Sequence, residues 1–376
     1  MNKFNLMQVI PSLDSGGVEQ GTIDLANFLA EKKIDSLIVS NGGKLLPKLN
    51  YKKVKHIKLP VHSKNFIKMP YLAKKLKNLI KENNVNIVHV RSRAPAWLLK
   101  FMKNNSFKTV STFHNVYGVE NFLKRKYNYA MGEVDYIIAI SDYVKSQISE
   151  IYKINSNKIT VINRGINTKF FDAKIKNNTT FSDFLSKYNI SGEKKIILFP
   201  GRLTKWKGQI EFLNILESFR NKKIICYFVG DDKNESYTTK LINEINKRKI
   251  ASNCKILGHL SYVDLKMMYF CTDVVISAPL KPEGFGRIVG ESLAMKKLLL
   301  AYNFGGVKSQ LSGLNQLYTV APYDQLEMKN KIDHALKLSK SYINKLGTIS
   351  RKHIINNFSN EKMLKNYLNF YQKISK

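Results

Sequence analysis

The chain has 376 residues, which is enough for two α/β domains, and its apolar content of 44% is that of a globular protein with a full core. Its three cysteines form no CxxC pair, which argues against a disulfide or zinc framework and indicates a reducing compartment. The sequence has no apolar run near the length of a membrane span and no apolar start of signal-sequence form. We therefore expect a cytoplasmic protein.

The formal net charge of +34 is carried mostly by lysine. Between Lys48 and Lys81 there are eleven lysines and no acidic residue. A basic face of this kind attracts nucleic acid, anionic lipid or phosphorylated substrates. The alternative is a compositional bias in which the lysines only keep helix surfaces solvated, and the sequence leaves both interpretations open.

The chain begins with a strand, a glycine turn and a helix. Residues 5–11 form an apolar run of strand length, Gly16 and Gly17 follow, and residues 18–33 carry apolar side chains at helical spacing. This order is typical of the first unit of a nucleotide-binding α/β domain. The spacing is not GxGxxG, so a dinucleotide cofactor is only weakly indicated, but two adjacent glycines let a backbone approach a phosphate closely.

Strand-length apolar runs then alternate with helical segments, which predicts a parallel sheet covered by helices on both faces. In the first half, the predicted strands are 34–40, 54–59, 87–90, 109–113, 136–140 and 159–162, and the predicted helices include one that begins at Pro70, 94–103 and 142–152.

Polar residues interrupt this alternation from about residue 172 to residue 194, and the pattern then starts again. We therefore expect a first domain at 1–175, a linker at 176–194 and a second domain at 195–358. The amphipathic segment 359–376 is expected to dock as a helix. In the second half, the predicted strands are 196–200, 224–230, 255–258, 274–277, 298–302 and 316–320, with helices at 208–219, 235–249 and 262–270.

Two basic side chains follow the first strand of the second domain, in the segment from Gly201 to Gly208. Ligands of open α/β sheets bind beyond the carboxyl ends of the strands. Arg202 offers a bidentate fork and Lys207 a point charge at a helix start, a combination that suits a diphosphate. In a chain this rich in lysine, a merely basic loop is the alternative.

Glu283 and Glu291 flank a glycine-containing loop that follows the buried strand 274–277. We expect a loop followed by a helix start, so that backbone N–H groups and the positive end of the helix dipole lie beside Glu283. Such a place suits an elongated, phosphate-bearing, hydroxyl-rich ligand. Taken alone, the pair is explained better as a helix entry with two solvated glutamates.

Polar side chains also follow predicted strands of the first domain. They are His114, Arg91 with Arg93, and Arg164. A lone histidine is usually structural, but these positions share one edge of the predicted sheet and so face one cleft. The sequence has no Walker lysine, no GxSxG and no metal-spaced His/Cys set, and we expect no metal ion and no cofactor.

Taken together and in order, these segments resemble the GT-B fold glycosyltransferases of family 4, a retaining, metal-independent class that uses nucleotide-sugar donors. The resemblance spans nearly the whole chain. It rests on Gly16-Gly17-Val18-Glu19, Thr112-Phe113-His114-Asn115, Ala139-Ile140-Ser141, Asn163-Arg164-Gly165-Ile166-Asn167, Pro200-Gly201-Arg202-Leu203 with Lys207-Gly208, and Glu283-Gly284-Phe285-Gly286 through Glu291.

The resemblance implies two doubly wound domains that face a central cleft, with the C-terminal helix returning to the first domain. Arg202 and Lys207 would hold the donor diphosphate, Glu283 the hydroxyls of the transferred sugar, and Glu291 the ribose. The remaining implied contacts are Gly16 and Gly17 by backbone to the phosphates, His114 to the sugar, Phe285 and Gly286 by backbone to the sugar, and Gly230 and His259 to the base.

Arg164 stands where many family members keep a plain Asn-Gly, and with Arg91 and Arg93 it is a candidate acceptor or phosphate contact. A narrower resemblance, in Ser15–Glu19, Ser63-Lys64-Asn65 and Arg91–Trp97, is to a bacterial subgroup that builds lipopolysaccharide and related envelope glycans. We expect a UDP- or GDP-sugar donor and a glycan or lipid-linked acceptor. Because the first domain binds the acceptor in this class, the segment from Lys48 to Lys81 is a candidate for contact with an anionic membrane surface.

Two other functions compete with this one. A two-domain sugar-nucleotide epimerase or phosphorylase would share the fold, and a basic nucleic-acid-binding protein would share the charge. The family-like segments disfavour the first. The absence from the sequence of any RNP-like, finger or helix-turn-helix pattern disfavours the second.

Overall fold

The computed structural model describes residues 4–14, 16–102, 106–174, 178–231 and 233–376. The chain divides into two compact units, unit 1 being Met1–Arg164 with Glu361–Lys376 and unit 2 being Gly165–Asn360. Ser15 of the first glycine segment, Lys103 at the end of a predicted helix, and residues 176 and 177 of the predicted linker lie outside the described residues.

Unit 1 contains a seven-stranded sheet in the order β3-β2-β1-β4-β5-β6-β7, with parallel pairing throughout the described strands. Because helices cover both faces, most of these strands are nearly continuous apolar runs, and each lies within two residues of its predicted bounds. The strands are β1 Leu6–Val9, β2 Ser36–Ser40, β3 Lys55–Lys58, β4 Ile87–Val90, β5 Lys108–Phe113, β6 Tyr136–Ala139 and β7 Ile159–Val161.

The helices between these strands begin where the sequence offers start signals. Pro70 lies in the first turn of α2, where a missing N–H costs nothing, and the Ser141 hydroxyl accepts a hydrogen bond from the Val144 N–H at the start of α5. Helix α4 was not predicted. The helices are α1 Gly17–Glu31, α2 Met69–Glu82, α3 Arg93–Lys100, α4 Phe122–Tyr129 and α5 Asp142–Tyr152.

Unit 2 contains a six-stranded parallel sheet in the order β10-β9-β8-β11-β12-β13. Its strands are β8 Lys195–Pro200, β9 Ile224–Val229, β10 Cys254–Gly258, β11 Val274–Ser277, β12 Leu298–Tyr302 and β13 Thr319–Val320. Its helices are α6 Asn178–Tyr188, α7 Gln209–Glu217, α8 Glu235–Lys247, α9 Tyr262–Cys271, α10 Arg287–Ala294, α11 Val307–Leu311, α12 Gln325–Lys337 and α13 Lys340–Phe358. Together the two sheets confirm the predicted fold class.

The segment expected as a linker, 176–194, contains helix α6 and belongs to unit 2, since the chain passes between the units at Arg164 and Gly165. The segment is polar in composition, but helix α6 within it has an apolar face. Phe181 packs edge-on against Phe270 of α9 with ring centroids 5.3 Å apart, and Phe184 is buried. Tertiary contact with α9 therefore stabilises a helix that its sequence signals only weakly.

The C-terminal helix, α14 Asn360–Ile374, returns to unit 1, as expected from its amphipathic pattern. Its apolar face completes a core cluster that includes Phe4 and Leu6 of the first strand segment and Leu25 of α1. The face consists of Met363, Tyr367, Phe370, Tyr371 and Ile374.

Each sheet reverses its strand order at one point, between β1 and β4 in unit 1 and between β8 and β11 in unit 2. At such a switch point the two flanking crossovers leave in opposite directions and open a crevice at the carboxyl edge of the sheet. Gly16 follows β1 and Arg91 follows β4, while Gly201 follows β8 and Glu283 follows β11. The predicted residues thus lie at both switch points.

Candidate functional site

In unit 2, the loop after β8 brings two cations to one aromatic ring. The Lys207 Nζ lies 4.6 Å from the centre of the Trp206 ring, and the Arg202 guanidinium lies 5.9 Å from it. The Trp206 carbonyl accepts a hydrogen bond from the Leu280 N–H at 2.7 Å, which ties this loop to the loop after β11. The two loops of the switch point therefore form one assembly.

Lys207 forms an ion pair with the Glu283 carboxylate across these two loops. Both side chains are largely buried, with exposed fractions of 12% and 11%. Burial strengthens their attraction because less water screens it. The arrangement places one cation and one carboxylate side by side, a geometry suited to a ligand that carries both phosphate oxygens and hydroxyl groups.

The loop from Glu283 to Gly286 is held by backbone and amide hydrogen bonds. The Gly306 N–H donates to the Glu283 carbonyl at 2.8 Å, and the Gln310 side-chain amide donates to the carbonyls of Phe285 and Gly286. Gly286 has φ of 83°, a left-handed conformation that favours glycine, and it precedes the first residue of α10. Phe285 is buried, so its side chain anchors the loop and its backbone stays fixed.

Glu291 lies inside α10, with 5% of its side chain exposed. Its Oε1 accepts from the Arg287 guanidinium at 2.7 Å, and its Oε2 accepts from the Tyr269 hydroxyl at 3.2 Å. Burial raises the pKa of the Glu291 carboxyl above its ordinary value, while the charge of Arg287 acts to lower it. Both oxygens already have partners, so the expected ribose contact would have to use their remaining lone pairs.

Gly230 and His259 follow β9 and β10 at the same edge of the sheet. The Gly230 N–H donates to the Gly258 carbonyl at 2.8 Å, and a Cβ added at Gly230 would clash with the Gly201 carbonyl. The strand ends therefore approach each other too closely for any side chain at this position. His259 is exposed beside them.

In unit 1, Gly16 caps α1 with φ of 125°, a conformation that an L side chain rarely adopts. The Arg164 guanidinium donates a hydrogen bond to the Gly17 carbonyl and so lies at the start of α1. Glu19 lies nearby, where burial raises the pKa of its carboxyl although Arg164 acts to lower it. The glycine segment and Arg164 therefore lie together at the start of α1.

His114 follows β5, and both of its ring nitrogens are shielded from solvent without a hydrogen-bond partner among the described residues. Burial, followed by the positive charges of Arg164 and Arg91, holds the pKa of His114 well below its ordinary value. The imidazole is therefore neutral at pH 7, with one donor and one acceptor unused. Buried polar atoms without partners are uncommon, and a ligand hydroxyl is one group that would satisfy them.

Arg91 lies in the interior, with 4% of its surface exposed, and an acceptor or phosphate contact for it stays a prediction. Its guanidinium donates to the Gln8 side-chain oxygen at 2.6 Å and lies 5.2 Å from the ring centre of Tyr367 on α14. In β4, two residues before Arg91, the His89 ring is hydrogen-bonded to the Tyr371 hydroxyl at 2.6 Å. Strand-end position alone did not reveal that α14 covers this arginine.

Arg93 is also engaged internally. It donates to the Asn128 side-chain oxygen at 3.1 Å and lies 4.6 Å from the ring centre of Tyr117. These contacts hold the segment between β5 and α4 against α3. An acceptor contact for Arg93 stays a prediction.

Sequence reasoning missed three side chains that shape the unit 2 site: Trp206, Arg287 and Gln310. Arg287 and Glu291 are four residues apart, and opposite charges at that spacing in a helix are a signal that could have been used. Gln310 had no local signal, because its partners lie far away in the chain.

Within the described ranges, no group of three or more His, Cys, Asp and Glu side chains is placed to hold a metal ion. No helix in these ranges is both long enough and apolar enough to span a bilayer.

A glycosyltransferase from Rickettsia africae ESF-5 is 35% identical to this chain, and its crystal structure matches with a TM-score of 0.90 over 100% of both chains. The chain belongs to the GT-B glycosyltransferases. The model of Glycosyltransferase Family 4 matches residues 15–170, and that of Glycosyl transferases group 1 matches residues 181–357. The expectation of a glycosyltransferase is thereby confirmed.

Two further proteins are similar at lower identity. The Anabaena protein Alr3699/HepE, solved in complex with UDP-glucose, is 16% identical with a TM-score of 0.79 over 98% of this glycosyltransferase and 99% of that chain. A lipopolysaccharide 1,2-N-acetylglucosaminetransferase from Salmonella typhimurium is 22% identical over 53% of this chain and 52% of its own length.

Proposed function

We propose that this glycosyltransferase transfers a hexosyl group from a UDP- or GDP-sugar to a glycan or lipid-linked acceptor, with retention of configuration and without a metal ion. The observation that carries the proposal is the largely buried Lys207–Glu283 pair at the switch point of unit 2, with Arg202 beside it. A cation there suits the donor diphosphate, and a carboxylate suits the sugar hydroxyls.

In the proposed reaction, the bond between the anomeric carbon and the diphosphate oxygen breaks while the acceptor hydroxyl oxygen bonds to that carbon on the same face. The acceptor proton passes to the departing diphosphate, so no protein nucleophile is needed. Arg202 and Lys207 stabilise the charge that builds on the diphosphate. These two cations supply the positive charge that a metal ion supplies in other enzymes, which supports metal independence.

Within unit 2, we propose that Glu283 binds hydroxyls of the transferred sugar and that the backbone of Phe285 and Gly286 adds contacts from a loop that Gln310 holds in place. Glu291 is proposed to contact the ribose. Backbone near Gly230 and His259 is proposed to hold the base. The contacts expected from Gly16, Gly17 and His114 of unit 1 stay predictions.

The acceptor is proposed to belong to a bacterial envelope glycan. The similarity to the Salmonella enzyme supports this assignment, as do the segments from Ser63 to Asn65 and from Arg91 to Trp97. We further propose a cytoplasmic enzyme held at the inner membrane surface, where the basic segment from Lys48 to Lys81 would be attracted to anionic lipid. Lipid-linked acceptors are found at that surface.

The test is to incubate the protein with UDP-, GDP- and ADP-sugars and to measure the nucleoside diphosphate released, with and without a chelator. We expect release from a UDP- or GDP-sugar that the chelator does not reduce. The anomeric configuration of the product, determined by NMR, should be that of the donor.

Three outcomes would overturn parts of this proposal separately. Activity that disappears with chelator would exclude metal independence, and an inverted product would exclude retention. No release from any donor, although the donors raise the thermal midpoint, would indicate binding with a different chemistry such as epimerisation.

A further inference from the structure

Unit 1 exposes two pairs of large apolar side chains that have no role in its core. Phe66 and Ile67, just before α2, are 51% and 89% exposed. Phe122 and Leu123, at the start of α4, are 75% and 76% exposed. Single exposed apolar residues are common on soluble proteins, but adjacent pairs on neighbouring elements indicate a surface that binds something apolar.

A chain of aromatic contacts connects the two pairs. The Phe66 ring packs edge-on against Trp97 of α3 at 5.1 Å, and Trp97 stacks on Tyr127 of α4 at 5.9 Å. The Trp97 indole N–H also donates to the Tyr127 carbonyl at 3.0 Å. The segment before α2 is thus joined through α3 to α4, and the two exposed pairs belong to one surface with an aromatic base.

This surface lies at the carboxyl edge of the unit 1 sheet. In a parallel α/β sheet, the loop from a strand to the next helix leaves from the carboxyl edge, and Phe66 and Phe122 stand at the ends of such loops, after β3 and β5. His114 lies at the start of the second loop. The apolar pairs therefore flank the edge that carries the predicted site residues of unit 1.

Basic side chains surround the apolar pairs. Lys64 and Lys68 flank the first pair, and Lys124, Arg125 and Lys126 follow the second, all of them exposed. One acid enters this group, since Glu120 pairs with Lys124 at 2.5 Å. A shallow cavity of about 290 Å³ lies beside Phe122 and is lined by Arg125, Lys126 and Lys153 together with two tyrosines.

We propose that these four apolar residues and the basic side chains around them form a membrane-docking face, which inserts Phe66, Ile67, Phe122 and Leu123 among the lipids of an anionic bilayer. This deepens the proposed function, because it names the residues that place the enzyme at its acceptor. Apolar side chains enter the boundary between headgroups and acyl chains while lysine and arginine pair with lipid phosphates. The basic cavity beside Phe122 accommodates one such phosphate.

The charge and the apolar area of the docking face favour an anionic bilayer over a second copy of the chain or a nucleic acid. A second copy would place the same basic rim against itself, and the like charges would repel. A nucleic acid would match the charge but would leave two exposed aliphatic side chains, Ile67 and Leu123, without partners. An anionic bilayer matches both the charge and the apolar area.

The test uses the full chain and sedimentation with vesicles of phosphatidylglycerol and phosphatidylcholine in equal parts, compared with vesicles of phosphatidylcholine alone. The double variant Ile67→Ser/Leu123→Ser should bind the anionic vesicles at least tenfold more weakly than wild type. The matched control, Leu326→Ser/Ile349→Ser, removes two exposed aliphatic residues of unit 2 and should bind like wild type. Folding is little affected in either variant because all four positions are exposed.

A second measurement reports insertion directly. Trp97 lies under the docking face, and in a Trp206→Phe background it is the single tryptophan of the chain. Brominated lipids should quench its fluorescence in anionic vesicles, and the Ile67→Ser/Leu123→Ser change should reduce that quenching severalfold.

Equal binding of the double variant and wild type, an equal loss in the control, or wild type that ignores anionic vesicles would each overturn the proposal. A monomer–dimer shift in sedimentation velocity that the double variant abolishes would assign the face to a second copy instead. Donor hydrolysis without vesicles separates the two proposals: docking without any hydrolysis would leave the membrane face standing while the enzymatic proposal fails.

Discussion

Lys207 and Glu283 form a largely buried ion pair across the two loops that meet at the switch point of unit 2. Lys207 also lies against the face of Trp206, whose carbonyl fixes the neighbouring loop at Leu280. Each charged group therefore has a partner before any ligand binds, so the geometry is preorganised rather than assembled by the donor. Preorganisation of this kind reduces the reorganisation required during a reaction.

Replacing Glu283 should lower the rate of sugar transfer while leaving the affinity for the nucleoside diphosphate nearly unchanged. We expect Glu283→Ala to lower kcat by about a hundredfold or more, because contacts to the transferred sugar act on the reacting group. Affinity for the nucleoside diphosphate alone should change little, since that ligand lacks the sugar. Steady-state kinetics and calorimetry measure the two quantities, with the exposed Glu235→Ala as the control. A variant that kept its kcat would contradict the assigned role.

Replacing Glu291 should weaken nucleotide binding and change the stability little. Glu291→Gln keeps the shape but takes the carboxylate away from the Arg287 guanidinium and weakens the hydrogen bond from the Tyr269 hydroxyl. Because burial of the charge is itself unfavourable, the two effects offset each other and the free energy of unfolding should change by no more than about 1 kcal/mol. We expect the folded variant to bind nucleotide more weakly. Unchanged nucleotide affinity, measured well below the thermal midpoint, would make Glu291 a purely structural residue.

The pH dependence of the same variant provides an independent check. Because burial raises the folded-state pKa of Glu291, the folded chain binds more protons than the unfolded chain between the ordinary and the raised value. This carboxyl therefore makes wild type lose stability as the pH rises through that window. Glu291→Gln should lack this component, and a variant with an identical pH profile would contradict the assignment.

Gly230 should tolerate no side chain. In Gly230→Ala the added methyl group would meet the Gly201 carbonyl, so we expect a loss of stability and of donor affinity together, as the loop that carries Arg202 is pushed away. Gly192→Ala is the control, because a Cβ at that position meets nothing within 4 Å. Urea denaturation measures the stability of both variants and donor titration measures their affinity. Equal stability and affinity in the two variants would contradict the close approach of Gly230 to the Gly201 carbonyl.

Two tyrosine hydroxyls of α14, those of Tyr371 and Tyr367, should contribute unequally to the free energy of unfolding. Tyr371→Phe removes the buried hydrogen bond to His89 at 2.6 Å and should cost about 1–2 kcal/mol of unfolding free energy. Tyr367→Phe keeps the ring over Arg91 and removes only a long contact of 3.5 Å, so its effect should be smaller. The reverse order in denaturation experiments would contradict the described network.

Two histidines whose ring nitrogens are shielded from solvent should make the protein sensitive to acid. Burial holds the pKa values of His89 and His114 well below the ordinary value, so below about pH 6.5 the unfolded chain binds more protons than the folded chain. Stability should fall as the pH falls, by up to about 1.4 kcal/mol per pH unit for each histidine. His114→Asn loses no hydrogen bond within the described residues and should reduce the slope of the thermal midpoint against pH. An unchanged slope would show that His114 does not contribute.

The sequence by itself determined the two parallel sheets and the positions at which chemistry is expected. Nearly continuous apolar runs of strand length are typical of strands buried on both faces, and glycines or charged residues directly after them mark the carboxyl edges. This is local information, and it placed Gly16, Arg202, Glu283 and His114 at their strand ends. Helix α6 was missed because its stabilisation comes from the packing of Phe181 on α9 and the burial of Phe184 rather than from its own composition.

Only the tertiary structure decided which strand-end groups find hydrogen-bond partners within the chain. Arg91 and His114 had the same sequence signal, yet Arg91 is covered by α14, a helix that lies more than two hundred residues later in the chain, while the ring nitrogens of His114 keep no partner among the described residues. The pairing of Lys207 with Glu283 and the joining of Phe66 to Tyr127 through Trp97 also depend on distant segments. The burial of a side chain depends on the segments that pack against it, and those segments lie elsewhere in the sequence.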